Sequence, residues 1–364
     1  MDRKKVLFIT NLPTPYRIDC CNELGKLCDL TVLVEGKRWH KQQFDWNDTK
    51  ENLTFKLIYL EEQLHENKIK WRIFPFLKRN RFNNIIIGCY HTRSQSLSIL
   101  YLKLKNIPYY FETDGGIIPI KENWLKRRIK QILIKGATGY FSPCKNSDNY
   151  LMYYGACNNL IYRCPFTSIK ADDILDEPFC YADKIAVRNK LNIKEKKIIL
   201  SIGQFIFRKG FDILIQAAQF LSDDVGIYIV GGEPTEEYLS LAQKVKFSHI
   251  HFVEFKQKQE LSAYFQAADL FVLPTREDIW GLVINEAMAY GLPVVSTTHC
   301  NAALELVSQQ ECIVEIENVN SLSHILQILI NNSEKLKIIG RENLLTIRKY
   351  TIKEMAISIY NKLQ

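Results

Sequence analysis

Two acids, Asp278 and Glu286, stand eight positions apart around Gly281 in the stretch PTREDIWGLVINEAMAYGLPVVST, Pro274–Thr297. Carboxylates at this spacing suit a ligand that offers hydroxyls. The glycine lets such a ligand approach the backbone closely, and the unpaired amides of a helix beginning at Leu282 and Val283 can take an anion such as a diphosphate. Glu277 directly precedes Asp278, which leaves open which of the two carboxylates faces a sugar. A second stretch, SIGQFIFRKGFDILIQAA (Ser201–Ala218), places Gln204, Arg208 and Lys209 between Gly203 and Gly210, a basic turn suited to phosphates. Acids, free amides and cations together describe a ligand with hydroxyls beside its phosphates, a nucleotide sugar.

These residues need elements to position them. Ala268–Leu273 (ADLFVL) is an apolar run fit for a strand buried on both faces. Pro274–Trp280 is a polar loop, and Leu282–Tyr290 is a helix stopped by Gly291 and Pro293. The next strand follows over Pro293–Ser296. Similar strands are expected near Lys197–Ile202, Gly226–Val230 and His249–Val253. In the first half they fall near Lys5–Thr10, Leu30–Val34, Leu53–Leu60, Ile85–Gly88, Tyr109–Phe111, Thr138–Ser142 and Leu160–Arg163. Strands alternating with helices predict an α/β class of parallel, doubly wound sheets, which bind ligands beyond the carboxyl ends of their strands. Trp39–Tyr59 is aromatic, mixed in charge and without a clear period. A chain of 364 residues, 47% hydrophobic, accommodates two domains. They are expected over 1–170 and 171–350, with Ser168–Tyr181 as linker and a final helix within 351–364 that crosses back to the first domain.

In the first half, Asn11–Arg17 (NLPTPYR) is a loop pinned by two prolines and lacks the G-x-G-x-x-G of dinucleotide binders, which counts against a dehydrogenase. His91 follows the Ile85–Gly88 strand, while Glu112 and Asp114 follow Tyr109–Phe111 beside Gly115 and Gly116. His249 and His251 alternate within a strand and read as structural.

The Pro274–Thr297 stretch resembles the signature of family 4 (group 1) glycosyltransferases, retaining enzymes of the GT-B fold with two Rossmann-like domains facing across a cleft. The shared pattern is G-x-V-x-x-E-A-M-A-x-G-x-P-V-V after an acid, with Asp278 where the family usually has Glu. The resemblance implies that Glu286 holds the donor ribose and that Glu277 or Asp278 serves the sugar. Lys209 and Gly210 match the family's basic turn for the donor diphosphate; Gln204 replaces its arginine, and Arg208 offers the missing charge. Gly203, Gly281, Leu282, Val283 and Glu305 complete the implied donor site. Asn11, Tyr16, Arg17, His91, Glu112 and Asp114 fall on the implied acceptor side. The implied reaction moves a hexose or N-acetylhexosamine from a nucleotide-diphosphate sugar, a UDP-sugar favoured, to a hydroxyl of a lipid-linked or free glycan in surface-polysaccharide biosynthesis. No cofactor and no metal are expected, since the sequence has no D-x-D motif. A sugar-nucleotide epimerase and a non-catalytic nucleotide-sugar-binding subunit remain as alternatives.

The formal charge of +8 concentrates in Lys121–Lys135 (KENWLKRRIKQILIK) and Lys68–Arg81 (KIKWRIFPFLKRNR). Leu125, Ile129, Ile132 and Leu133 of the former fall at helical spacing on one face. Basic charge beside apolar residues suits an anionic membrane surface, and no nucleic-acid-binding motif accompanies it. The start MDRKKVLFIT has no signal-peptide pattern, and the ten cysteines show no zinc spacing. The expectation is a cytoplasmic protein, peripheral at the inner face of the membrane.

Overall fold

A computed structural model describes residues 3–39 and 52–363. Part of the unassigned Trp39–Tyr59 stretch, residues 40–51, lies outside the described residues. The chain forms two compact units, Met1–Ser168 with Tyr350–Gln364, and Ile169–Lys349.

The first unit opens with β1 (Lys5–Thr10), α1 (Pro15–Leu27), β2 (Asp29–Trp39) and β3 (Lys56–Leu64). It continues through α2 (Ile73–Arg79), β4 (Asn84–Ile87), α3 (Arg93–Leu104) and β5 (Tyr110–Glu112). Then come α4 (Trp124–Ile134), β6 (Gly139–Ser142), α5 (Lys145–Tyr153) and β7 (Ile161–Arg163). The seven strands are parallel in the order β3-β2-β1-β4-β5-β6-β7. Val6–Ile9, Val32–Val34 and Asn84–Ile87 are buried throughout, as expected of strands covered on both faces.

The second unit begins with α6 (Tyr181–Lys190), β8 (Lys197–Ile202), α7 (Phe211–Ala218), β9 (Val225–Val230) and α8 (Glu236–Lys244). It adds β10 (Ile250–Val253), α9 (Lys258–Ala267), β11 (Leu270–Leu273), α10 (Leu282–Ala289) and β12 (Val294–Thr297). It closes with α11 (Asn301–Leu306), β13 (Ile313–Val314), α12 (Val319–Ile330) and α13 (Ser333–Ile347). Its parallel sheet runs β10-β9-β8-β11-β12-β13. The residues that lead into α6 already lie on this unit: the Leu175 amide donates to Ala289 O at 3.0 Å, and Glu177 pairs with Arg341 at 2.7 Å. A last helix, α14 (Ile352–Tyr360), belongs to the first unit and packs on α1, with Lys4 Nζ donating to Leu363 O at 2.8 Å.

The structure revises three local expectations. Helix α1 starts at Pro15, so Tyr16 and Arg17 lie in its first turn rather than in a loop; Pro lacks only an amide that no helix start uses. Strand β3 begins and ends later than Leu53–Leu60, because its pairing with β2 extends to Trp39 and Leu64. In α4 the apolar stripe is covered only at its edge. Leu133 is buried with Ile134, whereas Leu125, Ile129 and Ile132 are 53%, 49% and 56% exposed.

Candidate donor and acceptor sites

In an open parallel sheet the crevice for a ligand lies where the strand order reverses, beyond the carboxyl ends. In the second unit that point falls between β8 and β11, and the loops leaving those two strands carry the basic turn and the acidic loop. Gly210 presses the two together. Its φ of +68° is left-handed, and a Cβ there would stand 2.0 Å from Pro274 O. The Arg208 carbonyl accepts from the Arg276 amide and from Thr275 Oγ1, both at 2.8 Å, and the Arg208 guanidinium donates to Glu277 O at 2.7 Å. Arg276 braces the assembly through Asp212 at 2.7 Å and Glu317 at 2.9 Å, with its guanidinium 3.8 Å above the Phe207 ring.

At the centre, Lys209 Nζ meets Asp278 Oδ2 at 2.7 Å, and Arg208 approaches the same oxygen at 3.7 Å. Asp278 is 8% exposed, while Glu277 turns outward and contributes only its carbonyl to this network. An ammonium carries three donors, so Lys209 retains hydrogen-bonding capacity beyond Asp278. Gly281, with φ +101°, starts α10; a Cβ there would press on Cys300 Sγ at 2.9 Å. Leu282, Val283 and Glu286 follow on α10, each half-buried, and the first helical amides point out of its start. Trp280, buried, fixes that start through Nε1 donating to Asn285 Oδ1 at 2.8 Å. Half-buried Glu305 lies on α11, which is stitched to the same loop by Asn301 Nδ2 to Ile279 O and the Ala302 amide to Trp280 O, both 2.8 Å. Gly203 ends β8 with its amide on Val230 O at 2.9 Å, and Gln204 beside it is exposed.

In the first unit the order reverses between β1 and β4. There Arg17 NH1 spans both oxygens of Glu112 at 2.6 Å, and NH2 reaches Asp114 at 2.6 Å. Tyr16 OH donates to Asp114 at 3.0 Å, and the Arg17 guanidinium lies 5.0 Å over the Phe8 ring. Four of the six residues expected on an acceptor side therefore form one network. Burial pushes the Glu112 carboxyl up, Arg17 opposes that push and the charge of Asp114 adds to it. Asn11 instead ties the end of β1, accepting from the Gly36 amide at 3.2 Å. His91 packs on the Tyr90 ring at 4.7 Å, and burial lowers its pKa, which favours the neutral imidazole.

Two groups escape a reading by spacing. The Arg276–Asp212 brace joins residues 64 apart in the chain. Glu35, wholly buried within β2 and just past the strand end expected at Val34, has Thr92 Oγ1 on its Oε1 at 2.5 Å and its carboxyl pushed up to about 7 by burial. An acid next to a glycine at a strand end, the signal that marks Glu112 and Asp114, was present there too, in Glu35–Gly36.

Comparison with known proteins agrees with this geometry. Residues 183–344 match the family described as Glycosyl transferases group 1. An uncharacterized glycosyltransferase of Haemophilus influenzae is 33% identical over 154 residues, 40% of this chain and 43% of that protein. The lipopolysaccharide glucosyltransferase WaaG of Escherichia coli is 33% identical over 122 residues, 32% of each chain. The aligned part thus spans less than half the length of either relative. Among solved structures, HepE of Anabaena in complex with UDP superposes with a TM-score of 0.80 at 15% identity, covering 99% of both chains. That likeness shows the fold, an α/β arrangement of two parallel sheets of the GT-B class.

Proposed function

We propose, from the premise that this chain belongs to the group 1 glycosyl transferases through residues 183–344, that it is a retaining glycosyltransferase acting in surface-polysaccharide biosynthesis. It moves a hexose or N-acetylhexosamine from a nucleotide-diphosphate sugar to a hydroxyl of a lipid-linked glycan. The observation that carries this reading is the Lys209–Asp278 contact at the β8/β11 reversal, beside the start of α10. As the sugar leaves, the diphosphate gains negative charge and the sugar becomes oxocarbenium-like. Lys209, Arg208 and the amides of Gly281, Leu282 and Val283 stabilise the departing phosphates, the part that a divalent ion plays elsewhere. Glu286 holds the ribose hydroxyls. Asp278 orients Lys209, and Glu277, exposed beside it, is free to turn toward the sugar. On the acceptor side, Arg17 fixes Glu112 and Asp114 in place.

UDP-glucose bound to the Anabaena structure makes UDP-sugars the first donors to test. Thermal shift against UDP-, GDP- and ADP-sugars should single out one nucleotide, and incubation with a glycan acceptor should give product with the donor's anomeric configuration by NMR. Inverted product refutes retention. Protein that binds no nucleotide sugar refutes the whole reading, and a new sugar nucleotide formed without acceptor identifies an epimerase.

The acceptor's lipid end calls for a membrane surface, and α4 supplies one. Trp124 is 72% exposed and Ile120 97%, beside the outward Leu125, Ile129 and Ile132 and the exposed Lys126 and Arg128. Lys130 is paired with Glu122 at 2.6 Å and Arg127 stacks on Tyr153 at 4.4 Å, so Lys126 and Arg128 present the more available charge. Among the described residues no helix is long and apolar enough to cross a membrane, and a peripheral contact fits the cationic, apolar face. The protein should float with anionic vesicles and leave them in high salt. Lys126→Glu with Arg128→Glu should abolish flotation without altering donor affinity; equal binding to neutral vesicles would refute the electrostatic contact.

A further inference from the structure

At the other edge of the second unit's sheet, the amino ends of its strands carry a cluster that donor binding does not use. His249 immediately precedes β10 and His251 is its second residue, so extended backbone two residues apart turns both imidazoles the same way. Glu195 precedes β8, and β9 lies between β8 and β10. The carboxylate nevertheless reaches the imidazoles. Oε1 of Glu195 is 2.6 Å from His251 Nε2 and 3.4 Å from His249 Nδ1. It crosses β9 at Gly226, where any Cβ would stand 2.9 Å from Glu195 Cγ and 3.0 Å from Cδ. Tyr228, one face-position along β9, donates its hydroxyl to Glu195 Oε2 at 2.9 Å and stacks on His251 with centroids 4.4 Å apart. The carboxylate is thus built in, 7% exposed, while the imidazoles are 34% and 39% exposed. One ligand atom from each of the three lies within 4.8 Å of the others.

We propose that Glu195, His249 and His251 bind a divalent transition-metal ion of the zinc class. Two imidazole nitrogens and one carboxylate oxygen suit zinc, cobalt or nickel rather than calcium or magnesium, which take oxygen sets. Three protein ligands leave a fourth tetrahedral position for water on the solvent side. The ion takes the place of the hydrogen bond between His251 Nε2 and Glu195 Oε1, and the neutral imidazole that ligates through Nε2 carries its one proton on Nδ1. Tyr228 then holds the outer carboxylate oxygen, the orienting role that second partners play around metal ligands. The site clips edge strand β10 to the segment before β8, across a strand that contributes only the gap and the tyrosine. It lies at the opposite strand ends from Lys209 and Asp278, so its role is to staple the sheet, apart from glycosyl transfer.

The test titrates the full chain, stripped with a chelator, with Zn²⁺ by calorimetry and with Co²⁺ by visible absorption. One equivalent of Zn²⁺ should bind and raise the melting temperature. Co²⁺ should give tetrahedral ligand-field bands without a thiolate charge-transfer band. Affinity should fall on the order of a hundredfold in Glu195→Gln, His249→Ala and His251→Ala, and about tenfold in Tyr228→Phe. Circular dichroism identifies any variant that fails to fold, and Tyr228→Phe leaves all three ligands in place as a second measure. Absence of binding to the folded wild type overturns the proposal, as does unchanged affinity in the folded histidine variants. A thiolate band overturns it too, by placing the ion on exposed cysteines such as Cys157 or Cys180.

Discussion

Lys209→Ala is expected to slow single-turnover transfer about a hundredfold at saturating donor, roughly 3 kcal/mol of transition-state stabilisation. The loss should exceed any loss of donor binding, because the diphosphate charge that Lys209 meets grows as the sugar leaves. The structure adds a complication with a use. Lys209 is also the 2.7 Å partner of Asp278, which is nearly buried, so the variant leaves that carboxylate with the Trp280 amide at 3.4 Å and the Arg208 guanidinium at 3.7 Å. Pairing Lys209→Ala with Asp278→Asn separates the two roles. If Lys209 serves only to neutralise Asp278, the double variant recovers its rate. If it serves the leaving phosphates, the double variant stays slow although its stability returns. Lys209→Arg should rescue poorly, since a planar guanidinium does not occupy the place of a compact ammonium. Recovery of Lys209→Ala on adding magnesium or manganese would contradict a metal-independent donor site.

Arg17→Met should cost the fold about 3–5 kcal/mol, the usual penalty for stranding a buried charge. Arg17 and Glu112 are each 3% exposed, and both Glu112 oxygens rest on one guanidinium nitrogen. The deficit should depend on pH in a defined direction. Burial already holds the folded-state pKa of Glu112 above its unfolded value of 4.5 with Arg17 in place, and removing the guanidinium raises it further, so the native variant keeps its proton to higher pH. The variant therefore stays closest to wild type below about pH 7, where Glu112 keeps its proton in both folded states, and falls further behind as pH rises beyond that, where wild type ionises against Arg17. Denaturant melts across that range measure this. Adding Glu112→Gln should restore most of the stability and flatten the pH dependence. Transfer activity separates support from acceptor contact: if Arg17 and Glu112 also meet the acceptor, the stabilised double variant remains slow.

Local signals in the chain proved readable, and those carried by distant pairings did not. The strand–loop–helix run around Gly281 was legible because burial period, helix stop and turn glycines all lie within a few residues of one another. The same holds for the basic turn at Lys209. Start positions were harder where two rules compete, as at Pro15, which reads as loop-forming beside Pro13 yet is well placed in a helix's first turn. Periodicity in α4 identified an apolar stripe but could not say that Leu125, Ile129 and Ile132 look outward, because only the tertiary packing decides which face is covered. The brace from Arg276 to Asp212, the binding of Arg17 to Glu112, and the passage of Glu195 over Gly226 each join segments that only the sheet order brings together. Single residues of such sets can be suspected from their type; their partners emerge with the topology.

The return of α14 to α1 makes the second unit an insertion within the first. During synthesis, residues 169–349 leave the ribosome before the helix that covers α1 exists. The inserted unit, contiguous in sequence, can complete its sheet while Ile18, Cys21 and Leu24 of α1, all buried in the finished protein, still lack Ile352, Met355 and Ile359 opposite them. A nascent chain halted after residue 349 and before α14 carries a finished second unit and an open apolar seam on the first. Such a seam is a natural hold for chaperones and a point of aggregation when translation stalls.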